Sequence, residues 1–211
     1  MKTEKDFWEY LKPVREAAAE QGFDTLDETF TEHLRCRFFG RDVVIGRTER
    51  ILLREIRFSD LEAFYGFEDA ESEPVLKAFL KESREESEIF LQDYIRHMYP
   101  LYDCGIWTVE KIADGTVIGL CGLGKVKLCG TECTDLGYYI RPCCRKMGYA
   151  SECIEIVLDY AKNYLEIPLI YATIKEENRI SAKILQKFGF TDTGMKEVTR
   201  DDVMEIYRKL W

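Results

Sequence analysis

The sequence predicts an α/β fold built on a mixed sheet, and two observations lead to this prediction. The first is a pair of strand-like runs, IWTVEKI and TVIGLCGLGKV, which flank the residues ADGT. An Asp-Gly pair between two such runs is typical of a β-hairpin. The second is the order of the later segments: strand-like DLGYYI, a helical pattern, strand-like LIYATI, a short helix and two closing strands. A strand–helix–strand crossover after an antiparallel meander produces a sheet with both parallel and antiparallel neighbours.

The first 48 residues differ from the rest and predict a pair of helices. Phe7, Leu11 and Val14 fall at helical spacing, and Thr25 with Glu28 has the spacing of a capping box for a second helix. A plausible stop for that helix follows at Gly40. We therefore divide the chain into a helical extension, residues 1–48, and a main domain, residues 49–211. The extension could be a decoration of the main core or an independent binding module.

The main domain opens with alternating elements. ERILLREI predicts a strand, and Ser59 with Glu62 predicts a capped helix behind it. A longer helical stretch runs from Pro74 to Tyr99, with a break near Ser83. Acidic residues in this stretch are most simply a solvated face.

The second half of the domain contains the crossover. A helix is predicted to start near Gly148, because Ile154, Val157, Leu158 and Ala161 form one apolar stripe. A shorter helix runs from Arg179 to Phe188 and ends at a glycine. The closing strands are predicted at Met195–Val198 and Val203–Lys209.

Composition excludes several classes of protein. Hydrophobic residues make up 46% and charged residues 33% of the chain, a balance typical of a globular protein. The 39 acidic and 30 basic residues give a net charge of −9, which disfavours nucleic acid as a partner. No apolar run approaches the ~20 residues that span a bilayer, and the charged N-terminus does not resemble a signal peptide. We therefore expect a cytoplasmic protein with no membrane partner.

The eight cysteines are expected to be reduced thiols. Cys129 and Cys133 have a spacing that zinc accepts, but Cys143 and Cys144 are adjacent and awkward for tetrahedral ligation. We predict no metal site. The histidines lie in predicted helices far from the other motifs, and no covalent acyl-cysteine route is indicated.

The segment RKMGYASE suggests an anion-binding helix start. A glycine lets the backbone approach a ligand closely, and the first N–H groups of a helix lack internal partners and carry the positive end of its dipole. Arg145 and Lys146 precede Gly148 and add positive charge. The alternative is an ordinary glycine at a strand-to-helix turn.

From Thr48 to the C-terminus the chain resembles the GCN5-related N-acetyltransferase (GNAT) superfamily. Four segments in the same order carry the resemblance: TERILLREIRFSD, TVIGLCGL, LGYYIRPCCRKMGYASE and ENRISAKILQKFGF. Within the superfamily, the chain is similar to the branch of ribosomal-protein N-terminal acetyltransferases. The resemblance implies the GNAT fold, acetyl-CoA as co-substrate and an amine as acceptor.

The resemblance also implies which residues hold the pyrophosphate of acetyl-CoA. Arg145, Gly148 and Ala150 match the superfamily pattern of Arg or Gln, two residues, Gly, one residue, then Gly or Ala. Asn178 and Ser181 match a pair that lies near the pantetheine arm in that branch. The full set of expected cofactor-binding residues is Ile140, Arg145, Lys146, Met147, Gly148, Tyr149, Ala150, Asn178 and Ser181.

Two residues are candidates for the chemistry. Asp135 begins the strand DLGYYI, where related enzymes often carry an acid facing the acceptor, and it could remove a proton from the amine. An ordinary solvent-facing aspartate is an equal alternative, with Glu132 and Glu110 as weaker bases. Ser181 could hydrogen-bond or protonate the leaving thiolate, while Asn178 caps the helix.

The chain departs from the wider superfamily at one position. Many members have a tyrosine general acid four residues before the glycine of FGF, and this sequence has Leu185 there. Tyrosines on predicted strands are expected to pack rather than to react. They are Tyr138, Tyr139, Tyr171 and Tyr207.

The sequence leaves the acceptor and the assembly open. A protein N-terminus or a small amine would suit the resemblance, and a sheet edge or the helical extension could make a homodimer. Two other functions remain as alternatives: a catalytically silent CoA-binding module, and an adaptor whose partner docks on residues 1–48.

Overall fold

The computed structural model describes residues 2–20, 26–69, 73–198 and 202–211. The chain divides into two compact units, Met1–Val43 and Val44–Trp211. The division falls five residues before the end of the helical extension expected from the sequence, residue 48, because residues 44–47 form a strand of the second unit.

The first unit is a pair of helices, α1 (Glu4–Glu20) and α2 (Glu28–Phe39). Phe7 and Leu11 of α1 and Leu34 of α2 form its small buried core. Asp27 caps α2 by accepting a hydrogen bond from the N–H of Phe30, at 3.0 Å. The cap expected at Thr25 lies outside the described residues. Gly40 ends α2 with a φ of +68°, as the sequence predicted.

The second unit is built on one eight-stranded sheet with the order β1-β2-β3-β4-β5-β6-β8-β7. Neighbouring strands are antiparallel, except that β5 and β6 are parallel. The mixed α/β architecture predicted from the sequence is therefore confirmed. Strand β1 was not predicted. The strands are β1 (Val44–Arg47), β2 (Ile51–Arg54), β3 (Ile106–Lys111), β4 (Val117–Leu128), β5 (Thr131–Ile140), β6 (Leu169–Lys175), β7 (Thr191–Val198) and β8 (Val203–Leu210).

Helices cover both faces of this sheet. One face carries α3 (Leu61–Tyr65), α4 (Pro74–Lys77) and much of α5 (Arg84–Tyr102), packed through Phe64, Leu76 and Leu91. The other carries α6 (Tyr149–Asn163) and α7 (Arg179–Lys187). Its core side chains include Leu136, Ile140, Ile154, Val157, Ile170 and Leu185. The described residues of the unit also include short 3-10 helices at Phe58–Asp60 and Pro142–Cys144.

Two helix starts test the capping predictions in opposite ways. The break predicted near Ser83 is confirmed: Ser83 caps α5 and forms a capping box with Glu86. The cap predicted at Ser59 is wrong. The chain there forms a 3-10 turn, and the side chain of Asp60 accepts from the N–H of Arg57 at 2.8 Å.

Asp60, which caps this 3-10 turn, also belongs to a buried ion network. Arg54 on β2 is fully buried, and its guanidinium donates to Asp60 and to Glu110, each at 2.7 Å. Thr108 donates to the same Asp60 carboxylate at 2.9 Å. Each charge is hydrogen-bonded, which is the condition under which a buried ion pair is tolerated.

Candidate active site

Strand β5 separates from β6 partway along its length. The two strands pair at Asp135 and Tyr171. From Leu136 to Ile140, the register partners of β5 in the described chain lie on β4 alone. Backbone polar groups of β5 that face away from β4 therefore need another partner, because buried N–H and C=O groups are almost always hydrogen-bonded. This divergence makes an opening in which an extended polar ligand can lie.

The loop between β5 and α6 presents a run of free backbone N–H groups. Lys146 and Gly148 have left-handed backbones, with φ of +63° and +89°, and Gly148 is the N-cap of α6. Within the described residues, the N–H groups of residues 146–150 have no hydrogen-bond acceptor. They stand at the positive end of the α6 dipole. The loop is therefore suited to an anion with several acceptor oxygens, such as a pyrophosphate.

Arg50, in the turn between β1 and β2, holds this loop in place. Its Nη2 donates to the carbonyl oxygen of Met147 at 2.9 Å, and its Nε donates to Glu152 in the first turn of α6 at 2.8 Å. The guanidinium also lies over the ring of Tyr149, 4.6 Å from the centroid. Thr48 adds a hydrogen bond to Glu152 at 2.5 Å. Local spacing could not reveal Arg50, because its partners lie about one hundred residues away.

The expected pyrophosphate residue Arg145 is engaged with acids. Its Nε donates to the carbonyl oxygen of Ile140 at 2.7 Å, and its Nη2 lies 2.5 Å from Asp69 and 3.7 Å from Glu73. Tyr139 donates to the same Asp69. We call these contacts the Arg145 clamp. They fasten the start of the loop to the acidic segment before α4.

We call residues 145–150, which lead from β5 into α6, the cradle. The other residues expected to bind the cofactor's pyrophosphate lie in or beside it. Lys146 and Met147 are exposed, whereas Tyr149 and Ala150 are partly buried against the core beneath α6. Ile140 is buried at the end of β5. The structure thus brings Ile140 and residues 145–150 together.

Asp135 lies at the point where β5 and β6 diverge. Its Oδ1 is buried and has no hydrogen-bond partner among the described residues, and its Oδ2 is 3.5 Å from the hydroxyl of Thr173. Burial raises the pKa of Asp135 to about 7, with a smaller rise from Glu197 and a partial offset from Thr173. A carboxylate with a pKa near 7 is poised to exchange protons at neutral pH.

The other two acids considered as bases are placed differently. Glu110 is committed to the ion network, where it pairs with Arg54 and Arg57. Glu132 is exposed near the hairpin that joins β4 to β5. Of the three acids, Asp135 is the one at the opening between the strands.

The start of α7 lies beside the opposite face of β5. Asn178 caps α7 by accepting from the N–H of Ser181 at 3.0 Å, as the sequence predicted. Ser181 lies next to the buried hydroxyl of Tyr138. Leu185 is fully buried in the core. Leu185, four residues before the glycine of FGF, therefore packs in the core and has no ionisable group.

A cleft of about 1610 Å³ opens on the face formed by α3, α4 and α5. Its charged lining is mostly acidic, with five carboxylates and two lysines, and three aromatic rings contribute to its walls. Two of the carboxylates, Glu68 and Asp69, pair with Arg141 and Arg145. The cleft therefore borders the Arg145 clamp and has a net negative lining.

The cysteines, the possible metal ligands and the helices do not indicate a second functional site among the described residues. The Sγ atoms of Cys143 and Cys144 are 3.7 Å apart on the 3-10 turn before the cradle. In the ranges that the structure covers, no three His, Cys, Asp or Glu side chains converge as they would around a metal ion. None of the helices described is both long enough and apolar enough to cross a membrane.

Comparison with known sequences gives a consistent result. The family described as "Acetyltransferase (GNAT) domain" matches residues 50–191. N-acetyltransferase YnaD of Bacillus subtilis is 25% identical over 162 residues, covering 70% of this chain and 82% of that protein. N-acetyltransferase YoaA of the same organism is 29% identical over 154 residues, covering 72% of this chain and 85% of that protein.

Solved structures share the fold at low sequence identity. A GnaT-family acetyltransferase from Bordetella pertussis has a TM-score of 0.67 at 14% identity, covering 79% of this chain and 98% of that one. RimL, a ribosomal L7/L12 alpha-N-protein acetyltransferase in complex with coenzyme A, has a TM-score of 0.62 at 15% identity, covering 79% and 97%. The spermidine/spermine N-acetyltransferase SpeG from Vibrio cholerae has a TM-score of 0.57 at 21% identity, covering 76% and 94%.

Proposed function

The chain belongs to the acetyltransferase (GNAT) family, and from that premise we propose that it moves an acetyl group from acetyl-CoA to a primary amine by direct attack, with Asp135 as the general base. One observation carries the assignment of the base. The Oδ1 atom of Asp135 is buried without a partner among the described residues, at the divergence of β5 and β6. A buried polar atom of this kind costs stability, and a reacting group is an explanation for keeping it.

The residues of the loop fit the cofactor of the family. Lys146 and Gly148 have left-handed backbones, and the N–H groups of residues 146–150 have no acceptor among the described residues, so five donors are available to a pyrophosphate. Acetyl-CoA supplies an acetyl group activated as a thioester. In our proposal the loop binds the phosphates through its backbone, Arg50 keeps the loop in shape, and the Arg145 clamp fixes where the loop begins.

Asp135 then acts on the acceptor. A primary amine is mostly protonated at neutral pH and has no lone pair for attack, so a proton must leave first. With its pKa at about 7, Asp135 is ionised in a large share of molecules, and its carboxylate is a stronger base than an ordinary aspartate, so it takes that proton more readily. Its hydrogen bond with Thr173 orients the carboxylate.

Ser181 serves the leaving group in this proposal. Its N–H is already held by Asn178, which fixes the first turn of α7. The Ser181 hydroxyl can then donate a hydrogen bond to sulfur as negative charge develops there, an interaction that strengthens in the transition state. Leu185 cannot provide this hydrogen bond, because its side chain is apolar and buried.

The acceptor that we propose is a cationic amine. The cleft beside α5 has more carboxylates than lysines, which favours a positively charged ligand. Protein and small-molecule acceptors both remain within this class: RimL acts on a ribosomal protein and SpeG on polyamines, according to their names.

Calorimetric titration with acetyl-CoA tests the cradle. We compare Gly148→Trp with Gly115→Trp, because both glycines have a positive φ, +89° and +69°. A Cβ at position 148 would lie 3.2 Å from Arg50 Nη2, whereas nothing lies within 4 Å at position 115. We expect micromolar binding by the native protein and by Gly115→Trp, and at least tenfold weaker binding by Gly148→Trp. Equal affinities in all three would exclude this loop as the phosphate site.

A screen of amines with detection of the released thiol tests the transfer itself. The panel contains polyamines, aminoglycosides and peptides with free N-termini. Turnover that falls about a hundredfold or more in Asp135→Asn supports the proposed base. Tight acetyl-CoA binding without turnover on any amine would favour the alternative of a catalytically silent CoA-binding module.

A further inference from the structure

Tyr138 carries a buried hydroxyl that the fold does not satisfy. The Oη atom has no hydrogen-bond partner among the described residues, although the structure buries it completely. A hydroxyl removed from water without a partner destabilises the protein by about 1–3 kcal/mol. Packing alone does not account for it, because phenylalanine would fill the same space without that cost. The sequence predicts a packing role for Tyr138, whereas the unpaired hydroxyl indicates a further role.

The position of Tyr138 on β5 places it at the candidate site. It lies three residues after Asp135, on the part of β5 that has separated from β6. Side chains on a strand alternate between faces, so Asp135 and Tyr138 lie on opposite faces of the sheet. Tyr138 packs with Leu136 and Ile140 against the core beneath α6 and α7. It therefore belongs to the face on which α7 begins.

The neighbour of the Tyr138 hydroxyl on that face is Ser181. The two side chains are close enough for Ser181 to lower the pKa of Tyr138, but they do not form a hydrogen bond of normal geometry. Burial, the larger effect, raises the pKa of Tyr138 to about 12, and Cys121 and Glu73 add to the rise. The phenol is therefore neutral at physiological pH. In that state it can donate a hydrogen bond to an adjacent oxygen.

We propose that Tyr138 is a positioning residue that acts through Ser181. The inference rests on the function proposed above. When the opening is filled, the Tyr138 phenol donates to Ser181 Oγ, and the Ser181 O–H is thereby directed at the departing sulfur. A hydroxyl that accepts a hydrogen bond is also a better donor, because chains of hydrogen bonds polarise one another.

The balance of the transfer step is simple. The amine nitrogen forms the new bond to the acetyl carbon, and the carbon–sulfur bond breaks with its electron pair on sulfur. The nitrogen of a protonated amine loses two protons: Asp135 takes the first before attack and passes it to solvent, and the regenerated carboxylate takes the second as the carbon–nitrogen bond forms. Ser181 stabilises the thiolate by donating a hydrogen bond, and the thiolate takes its proton from solvent after release. Tyr138 keeps its proton throughout.

Tyr138→Phe removes the hydroxyl alone and gives the first test. We expect the urea midpoint of the free protein to stay level or rise, because a buried unsatisfied group is lost. Acetyl-CoA affinity, measured by calorimetry, should change less than twofold. With an acceptor from the amine screen, kcat should fall about tenfold or more and KM should stay within twofold.

Tyr164→Phe is the matched control. Its hydroxyl donates to Asp103 at 2.6 Å and lies outside the candidate site, so its removal should lower the urea midpoint and leave kcat unchanged. The double variant Tyr138→Phe/Ser181→Ala should be no slower than Ser181→Ala alone, since Tyr138 acts through the serine.

A second readout needs no acceptor. Proton release on binding of coenzyme A at pH 8 is obtained from calorimetry in buffers of different ionisation enthalpy. If Ser181 and Tyr138 stabilise the bound thiolate, the native protein should release more protons than Tyr138→Phe, while both should behave alike with acetyl-CoA.

These measurements separate two kinds of failure. Absence of turnover with every amine would reject the proposed function, and the proton-release experiment would still report on Tyr138. Equal proton release and equal kcat in the native protein and Tyr138→Phe would overturn the positioning role. A urea midpoint that falls as far as in Tyr164→Phe would also overturn it, because the hydroxyl would then be an ordinary structural donor.

Discussion

Replacing Asp135 by asparagine should make the protein more stable above pH 7 while removing its activity. The native carboxyl has its pKa raised to about 7, chiefly by burial, whereas an aspartate in the unfolded chain titrates near 3.9. The folded state therefore binds the proton more tightly. This contribution to stability is fully present below the unfolded pKa and is lost as the pH rises through the folded pKa. Asparagine does not titrate and escapes that loss.

The size of the effect follows from the pKa difference. A shift of about 3 units corresponds to about 4 kcal/mol, accumulated between pH 4 and pH 7 at about 1.4 kcal/mol per unit. Between pH 5 and pH 8 we expect the stability of Asp135→Asn to rise relative to the native protein by about 2–3 kcal/mol. For a chain of this size that corresponds to about 4–12 °C in Tm.

Urea unfolding of both proteins at pH 5, 6, 7 and 8 measures this difference. Asp114→Asn is the control. The pKa of Asp114 is lowered to about 2, first by its hydrogen bond with Lys111, so its carboxylate is ionised in both states throughout this range and the difference should be flat. The raised pKa of Asp135 would be refuted if the difference in unfolding free energy between Asp135→Asn and the native protein did not change with pH, or if it grew toward low pH. If this difference in unfolding free energy rises with pH but the variant keeps full turnover, the raised pKa of Asp135 is supported and its role as the general base is rejected.

Three further substitutions test the framework of the site. Arg50→Ala should weaken acetyl-CoA binding about tenfold in calorimetry, and unchanged affinity would show that the cradle holds itself. Gly119→Ala should abolish stable folding in urea titrations, because its Cβ would overlap the carbonyl oxygen of Tyr139 on β5, whereas Gly124→Ala, with nothing within 4 Å, should be neutral. Asp60→Asn leaves Arg54 with a poorer partner and should cost about 3–5 kcal/mol of unfolding free energy; a loss below about 1 kcal/mol would mean that Glu110 suffices.

The sequence predicted those features that local spacing encodes. The start of α6 at Gly148, the cap of α7 at Asn178 and the break at Ser83 each depend on residues within one turn of each other. The hairpin at Asp114–Gly115 belongs to the same class. Such signals survive in the sequence because the backbone conformation requires particular residue types.

Features that join distant segments escaped prediction. Arg50 reaches Glu152, and Arg145 reaches Asp69, across 102 and 76 residues. No spacing rule links such pairs, since their proximity follows from how β1, β2 and α4 pack. Strand β1 was missed for a related reason: Val44–Arg47 is short and gains its place by pairing with β2. The unsatisfied atoms of Asp135 and Tyr138 are also invisible in a sequence, because only the packed fold shows which polar atoms lack partners.

Because Asp135 and Tyr138 lie on opposite faces of one strand, β5 acts as a partition. In the proposed mechanism the acceptor binds on the face that carries α5 and its cleft, and acetyl-CoA binds on the face where α6 and α7 begin; the Arg145 clamp lies at the boundary between them. The proposed roles therefore predict that substitutions along α5 change which amine binds without changing how the thiolate leaves. Laboratory evolution of new acceptor preferences should accordingly collect its mutations on one face of the sheet and leave the other almost unchanged.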